Sequence, residues 1–197
     1  MRKTVKYILV LFVIGTAFVN VSKASAVSLE MTQKQKESYY KQYANIIEKV
    51  NSDQDADLEL VPIEDFKPDE WIEPQEFEKI ATDMAEFDFV LEPNGDELLH
   101  TKVFTTSING KTLSININGN FNTNLFEPAD RQIFESIDSI TSSSNDLSWK
   151  QTGYTARLSD LGRSYVIDIG GEFTYNGITG YRGIYVEFYC SATGAIS

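Results

Sequence analysis

Hydrophobic positions near the start of the chain recur with the spacing of an α-helix. From Met31 to Val50 the apolar positions that share one side of a helical projection are Tyr39, Tyr40, Tyr43, Ala44, Ile46, Ile47 and Val50. Because residues three and four apart share a helix face, the spacing predicts an amphipathic helix, and Thr32 can cap its start. A second helix is predicted from Pro74 to about Glu86, with an inward face of Phe77, Ile80, Ala81 and Met84.

The segment between the two predicted helices, residues 51–73, has no regular period. It is rich in acidic residues, and Pro62 and Pro68 disfavour a helix there. We interpret it as an extended acidic connector. Its apolar side chains can dock on a neighbouring surface, and they are Leu58, Leu60, Val61, Ile63, Phe66 and Trp71.

From Leu98 onward the pattern changes to the alternation of β-strands that bury one face. Asn109-Gly110 lies between two alternating runs, which is the strongest short-range signal for a two-residue hairpin turn. The turn sets a register in which Phe104 lies opposite Ile115 and Thr106 lies opposite Leu113. The other face is then polar, and the residues there that could bind a ligand are Thr105, Ser107, Thr112, Ser114 and Asn116.

Asn176-Gly177 repeats this turn near the C-terminus. The register it sets forms one apolar face from four cross-strand pairs and directs Cys190 inward; the pairs are Tyr165/Phe188, Ile167/Val186, Ile169/Ile184 and Phe173/Gly180. Two further strands are predicted at residues 131–141 and 148–158. The sequence therefore predicts an α+β protein: an acidic helical region (27–97) with two helices and a connector, then a mostly antiparallel sheet of about six strands (98–197), as a sandwich or open barrel.

The opposite face of the last hairpin alternates carboxylates with tyrosines. The same register places Asp168 opposite Tyr185, Glu172 opposite Tyr181, Val166 opposite Glu187 and Ser164 opposite Tyr189. Tyrosine rings suit stacking on sugars. Asp168 and Glu187 are diagonal neighbours, a spacing that glycosidic hydrolysis can use. The candidate binding residues are Asp168, Glu172, Tyr181, Tyr185, Glu187 and Tyr189. Tyrosine–carboxylate pairs are also common on strand surfaces that bind nothing.

Few side chains can support conventional catalysis. The chain has one Cys, Cys190, and one His, His100, so the sequence excludes an intramolecular disulfide and a zinc site built from several Cys or His ligands. Nothing around His100 resembles the setting of a nucleophile–histidine pair, and the inward direction of Cys190 would blunt its thiol. The sequence indicates no cofactor.

Acidic residues in the connector imitate a calcium-binding loop. Asp53, Asp55, Asp57 and Glu64 stand at loop positions one, three, five and twelve. However, Leu58 stands where the sharp turn needs Gly. The sequence therefore favours an acidic solvated loop and predicts no metal site.

The N-terminal residues have the composition of a signal peptide. Arg2, Lys3 and Lys6 precede an apolar stretch too short to span a bilayer, and Ala24-Ser25-Ala26 fits a cleavage site. We expect residues 1–26 to be removed after Ala26, giving an exported protein with no membrane attachment.

The charge of the chain is strongly uneven. The formal net charge is −12, and residues 27–100 carry 20 acidic and 6 basic side chains, whereas residues 101–197 carry 9 and 7. This balance argues against a nucleic-acid partner. An acidic half usually serves solubility, but it could also dock a basic protein.

Several stretches resemble small secreted proteins of Gram-positive bacteria, a group without an assigned activity. They are Glu37-Ser-Tyr-Tyr-Lys-Gln-Tyr, Asp57-Leu-Glu-Leu-Val-Pro-Ile-Glu-Asp-Phe, Trp71-Ile-Glu-Pro-Gln-Glu-Phe, Trp149-Lys-Gln-Thr-Gly-Tyr and Ile184-Tyr-Val-Glu-Phe-Tyr-Cys-Ser. The resemblance implies bacterial export and a two-part layout, and it brings no catalytic motif.

These observations favour a non-enzymatic extracellular or cell-envelope binding protein, which we expect to be a monomer. Its partner would be a cell-wall glycan or a basic protein. Two other functions stay open: a glycoside hydrolase that uses Asp168 and Glu187, and an acidic effector or inhibitor that acts through residues 27–100.

Overall fold

The computed structural model describes residues 31–92 and 100–197; the predicted signal peptide and the predicted boundary after residue 97 lie outside these ranges. The helices are α1 (Gln33–Gln54) and α2 (Pro74–Glu86). The strands are β1 (Glu59–Leu60), β2 (Val90–Leu91), β3 (Thr101–Ile108), β4 (Lys111–Phe126), β5 (Arg131–Ser143), β6 (Ser148–Ser159), β7 (Ser164–Tyr175) and β8 (Ile178–Tyr189). The predicted α+β class with antiparallel sheet is confirmed.

The strands form two antiparallel sheets of four strands each, so the predicted count of about six is corrected to eight. The front sheet has the order β2-β3-β4-β5 and the back sheet has the order β1-β8-β7-β6. The six predicted strands are all present. The two additional strands lie before the predicted sheet region: β1 is in the connector that was predicted to be extended, and β2 follows α2. With two residues each they are too short to show a period.

Both predicted hairpin registers are confirmed. In the front sheet Phe104 pairs with Ile115 and Thr106 with Leu113. In the back sheet the pairs Tyr165/Phe188, Ile167/Val186, Ile169/Ile184 and Phe173/Gly180 all form. The turn residues Asn109 and Asn176 have positive φ angles of 49° and 51°, and each is followed by a glycine with positive φ, as a two-residue turn of this kind requires.

The core consists of two hydrophobic clusters. One lies between the inner faces of the two sheets, and the other lies between the helices and the turn ends of the two hairpins. Phe104, Ile115 and Ile117 from the front sheet meet Ile167, Ile184 and Phe188 from the back sheet in the first cluster. The second cluster joins α1, α2 and the connector to Ile108, Leu113, Phe173 and Ile178. The acidic helical region therefore packs on the ends of both sheets.

The predicted helix faces are largely confirmed. Phe77, Ile80, Ala81 and Met84 of α2 are all buried. In α1 the buried residues are Tyr43, Ile47 and Val50, while Ala44 is exposed, contrary to the prediction. The Thr32 side chain accepts from the backbone N–H of Gln35 and the Gln35 side chain accepts in return, so Thr32 caps α1 as predicted.

The connector docks through the apolar side chains that the sequence indicated. Leu58, Phe66 and Trp71 are buried, and Leu60, Val61 and Ile63 are partly buried against the same cluster. β1 pairs with the start of β8, and the Val61 N–H donates to the Gly177 carbonyl at 3.0 Å. The connector is thus part of the back sheet's edge.

Candidate functional site

The predicted binding residues lie together on the outer face of the back sheet. Asp168 pairs with Tyr185, Glu172 with Tyr181, Val166 with Glu187 and Ser164 with Tyr189. Tyr181, Tyr185 and Tyr189 are 50%, 59% and 40% exposed, although large apolar rings usually lie inside. Two of these pairs continue onto β6 and form rows of three residues across the sheet. Thr155 pairs with Asp168, and Lys150 pairs with Glu172.

A row of three glycines crosses the same face between these two rows. Gly153 pairs with Gly170, and Gly170 pairs with Gly183. A Cβ added at Gly153 or Gly183 would meet no atom within 4 Å. A Cβ at Gly170 would lie 3.1 Å from Thr152 Oγ1, so the backbone is bare at the two outer strands and partly covered by Thr152 at the middle one.

The glycine row is the floor of a shallow groove of about 480 Å³, whose lining includes Tyr154 of β6. We call this surface, together with the exposed Tyr181 and Tyr185 beside Gly183 on β8, the tyrosine groove. Its lining includes Thr155 and Asp168 on one side. Tyr181 and Tyr185 stand on β8 two residues before and two residues after Gly183, so their Cα atoms are roughly 13 Å apart along the strand. The two exposed tyrosines therefore flank the β8 edge of the groove.

A hydrogen bond orients the side chain of Tyr181. The Tyr181 hydroxyl donates to Glu172 Oε2 at 2.9 Å. This bond, helped by the negative charge of Glu172, raises the pKa of the Tyr181 phenol above its ordinary value. Asp168 and Tyr185, on the other side of the groove, make no side-chain hydrogen bond within the described ranges and are available to a ligand.

The two carboxylates considered for glycoside hydrolysis are diagonal neighbours, as the register predicts. Asp168 lies opposite Tyr185, and Glu187 lies one row further along, opposite Val166. Both are exposed.

The outer face of the front sheet carries the neutral polar residues that the first hairpin predicts. Alternate positions of β4 place Ser114 and Asn116 on this face, and the alternation continues through Asn118, Asn120, Asn122 and Asn124. Ser114 donates to Asp146 from both its backbone N–H and its hydroxyl, and Thr101 bonds to Asn118.

His100 and Cys190 differ in exposure. His100 is exposed and its ring centroid is 6.3 Å from that of Phe121. Cys190 is fully buried, and this burial raises the pKa of its thiol.

The connector acids do not form a loop of the calcium-binding shape. Asp53 is still within α1, Asp55 ends the helix in a left-handed conformation, and Glu64 lies in a separate short 3-10 helix at Ile63–Asp65. In the part of the chain that the structure describes, no three Asp, Glu, His or Cys side chains are grouped so as to hold a metal ion.

Comparison of the chain with protein-family models, curated proteins and solved structures finds no match. Within residues 31–92 and 100–197, neither helix has the length and apolar composition needed to cross a bilayer.

The sequence analysis did not identify the glycine row. Gly170 and Gly183 face each other in the predicted register, so two of the three glycines follow from it. Gly153 joins the row only because β6 has an irregular register between Gln151 and Gly153. No local sequence signal marks this irregularity.

Proposed function

We propose that the protein is an exported, non-enzymatic binding protein of the cell envelope, and that the tyrosine groove binds a glycan chain. The observation that supports this most is the row of Gly153, Gly170 and Gly183 beside two exposed tyrosines. Export is supported by the sequence of residues 1–26. We expect a monomer, no cofactor and no nucleic-acid partner.

The chemistry of the groove suits a sugar better than an apolar ligand. The faces of aromatic rings carry partial negative charge and attract the C–H groups of a pyranose ring. The carboxylates of Asp168 and Glu172 accept hydrogen bonds from hydroxyl or amide groups. A shallow, open groove suits a chain that extends beyond it better than a single enclosed molecule.

The test is retention of the chain from Val27 to Ser197 on isolated Gram-positive cell walls and on soluble wall oligosaccharides, at low and high salt. We expect retention at both salts. Tyr181→Ala and Tyr185→Ala should each weaken binding roughly two- to tenfold, because each removes about 0.5–1.5 kcal/mol of aromatic contact. Thr112→Ala and Asn120→Ala on the front sheet are the matched controls. Loss of binding in these controls, with the tyrosine variants unaffected, would assign recognition to the front sheet instead.

The first alternative is a glycoside hydrolase that uses Asp168 and Glu187, which the diagonal spacing of the two carboxylates favours. Reducing-sugar release from the same wall material tests it. Hydrolysis that disappears in Asp168→Asn and Glu187→Gln, with binding retained, would establish the enzyme, and unchanged hydrolysis in these variants would exclude these residues.

The second alternative is an acidic effector that docks a basic protein through residues 27–100, which carry most of the negative charge. Opposite charges on exposed surfaces are screened by salt. Capture of one basic protein at low salt and its release at high salt, with no retention on walls, would favour this function.

A further inference from the structure

The strand β6 has an inward face that the front sheet does not cover. In the rows that cross the back sheet, Tyr154, Ala156 and Leu158 pair with core residues of β7, which are Ile169, Ile167 and Tyr165. Inward-facing residues of a sandwich are normally buried between the sheets. Tyr154 and Leu158 are nevertheless 42% and 45% exposed, and Ala156 is exposed as well.

The uncovered segment lies in a gap between β5 and β6. Near the start of β6 the two strands are joined, because Gln151 Nε2 donates to the Ile140 carbonyl at 3.1 Å. The sheets meet again beyond the end of β6, where a Cβ added at Gly162 would lie 3.2 Å from Ile133 Cδ1. Between these points every residue from 153 to 158 is exposed. We call this gap, roughly 20 Å long over six strand residues, the side opening.

The backbone edge of β6 that faces the side opening has no strand beside it. β6 ends the back sheet in the order β1-β8-β7-β6 and pairs with β7 alone. Outside this pairing, no backbone hydrogen bond joins β6 to another segment within the described ranges. A free edge presents unpaired N–H and C=O groups, so it is a template for one more strand.

The charges on β6 are opposite to those of the chain as a whole. β6 contains Lys150 and Arg157 and no acidic residue, whereas the chain has 29 acidic and 17 basic residues. Arg157 lies opposite Val166 on the outer face and forms no ion pair in the part of the chain that the structure describes. The acidic connector lies at the other edge of the back sheet, beside β8. An acidic side chain opposite Arg157 would therefore favour an added strand.

A second copy of β6 fits this edge poorly. When two copies of Ser148–Ser159 are aligned antiparallel about their midpoint, Lys150 of each copy lies opposite Arg157 of the other. Like charges directly opposite each other destabilise a pair of strands. An extended segment of a different protein can instead supply the opposite charge.

We propose that the side opening binds an extended peptide segment of a partner protein, which adds to β6 as an antiparallel strand. The segment has apolar side chains at three alternate positions, opposite Tyr154, Ala156 and Leu158, and an acidic residue opposite Arg157. Backbone hydrogen bonds supply the affinity, and the apolar side chains cover the exposed face and supply the specificity. Antiparallel addition continues the pattern of every pair in this sheet. The proposal does not depend on glycan binding in the tyrosine groove.

The test is titration of the chain from Val27 to Ser197 with the peptide acetyl-Val-Glu-Val-Thr-Val-Thr-amide, followed by the amide resonances of the protein. We expect saturable binding, with shifts concentrated in β6 and slower amide exchange there. The same peptide with Lys in place of Glu should bind roughly three- to tenfold more weakly. Two further peptides are N-methylated either at the three Val residues or at the Glu and both Thr residues. Because an added strand uses only one of its own edges, only one of these two should bind.

Two variants of the protein locate the bound peptide. Arg157→Glu should reverse the preference, so that the Lys peptide binds more tightly than the Glu peptide. Leu158→Ala should weaken binding of both peptides roughly two- to fivefold, because it removes apolar contact. The matched control is Leu125→Ala, which removes a leucine of similar exposure from β4 in the other sheet. Neither Arg157 nor Leu158 lines the tyrosine groove, so both variants report on the side opening.

Saturable binding that shows the reversal in Arg157→Glu and the loss in Leu158→Ala, but no change in Leu125→Ala, supports the proposal. Absence of binding by the Glu peptide overturns it. Equally tight binding of both N-methylated peptides also overturns it, because the peptide would then be held by its side chains alone. Sedimentation that shows a dimer of the unmutated protein, dissociated by the peptide, would assign this edge to a second copy and would likewise overturn it.

Discussion

The side chain of Arg182, in β8, donates from Nη2 to the backbone carbonyl of Met84, in the last turn of α2, at 2.9 Å. The same nitrogen reaches the Ala85 carbonyl at 2.8 Å, and the guanidinium lies 5.0 Å from the centre of the Phe87 ring. The last carbonyls of a helix lack partners within the helix and carry partial negative charge. One cation from the back sheet therefore caps α2 and ties the acidic helical region to the sheet.

Replacing Arg182 with Met should weaken this attachment. The variant retains much of the side chain's apolar contact but removes every hydrogen bond to α2, and hydrogen bonds to a charged group contribute about 1.5–3 kcal/mol. We expect the free energy of unfolding in urea to fall by about 2 kcal/mol. Arg157→Met, on the exposed outer face of β6, is the matched control and should change stability by less than about 0.5 kcal/mol. Equal stabilities of the two variants would show that α2 is held by its apolar face alone.

The sequence predicts the inward position of Arg182 but not its partners. Strand alternation places it on the inward face of β8 between Gly180 and Ile184, where a charge is unexpected. Its partners are carbonyls of a helix almost one hundred residues earlier in the chain, and no local pattern reveals such a contact. The hairpin registers, by contrast, follow from Asn-Gly turns and alternating side chains that are neighbours in sequence. Local sequence signals therefore predict the strand face that carries the tyrosines. The tyrosine groove and the capping of α2 by Arg182 depend on contacts between residues that are far apart in the chain.

Tyr43 should make stability depend on pH in the alkaline range. Its hydroxyl donates to the Ile72 carbonyl and accepts from the Ile72 N–H, and burial raises its pKa from 10.0 to about 12. The folded state therefore holds the phenolic proton more tightly than the unfolded state does. The stability from this group is fully present below pH 10 and is lost as the pH rises towards about 12.

Denaturant unfolding across this pH range, followed with tyrosinate absorbance, measures the effect. Tyr43→Phe should remove this part of the pH dependence. At neutral pH it should also cost about 1–3 kcal/mol, because both backbone groups of Ile72 lose their partner. Tyr154→Phe, at an exposed position of β6, is the control. A pH profile of Tyr43→Phe identical to that of the unmutated chain would contradict the prediction.

Cys190 should be unreactive in the folded protein. It is fully buried, and its raised pKa keeps the thiol protonated at neutral pH, whereas the thiolate is the reactive form. We expect a thiol-specific reagent to label the chain slowly under native conditions and rapidly in denaturant, and a non-reducing gel to show monomer. Fast, complete labelling of the native protein would show that the C-terminal segment around Ile196, which bridges to Cys190, opens readily.

Two glycines in the back sheet should respond in opposite directions to the same substitution. A Cβ at Gly171 would lie 2.1 Å from ring atoms of Trp149, whose indole N–H is fixed by a 2.8 Å bond to Ser142. Gly171→Ala should therefore lower the free energy of unfolding by about 1–3 kcal/mol. A Cβ at Gly183 points into open space, so Gly183→Ala should raise it by roughly 0.5–1 kcal/mol, because glycine weakens a strand interior.

Gly183 can also separate folding from binding in the tyrosine groove. Gly183→Val adds a branched side chain to the floor between Tyr181 and Tyr185 at a position where it meets no protein atom within 4 Å of its Cβ. Valine favours strands, so the variant should be at least as stable as the unmutated chain. If a glycan chain lies on the bare backbone, its retention on cell walls should nevertheless be lost. A stable Gly183→Val protein that binds walls as tightly as before would mean that the ligand does not lie on the glycine row.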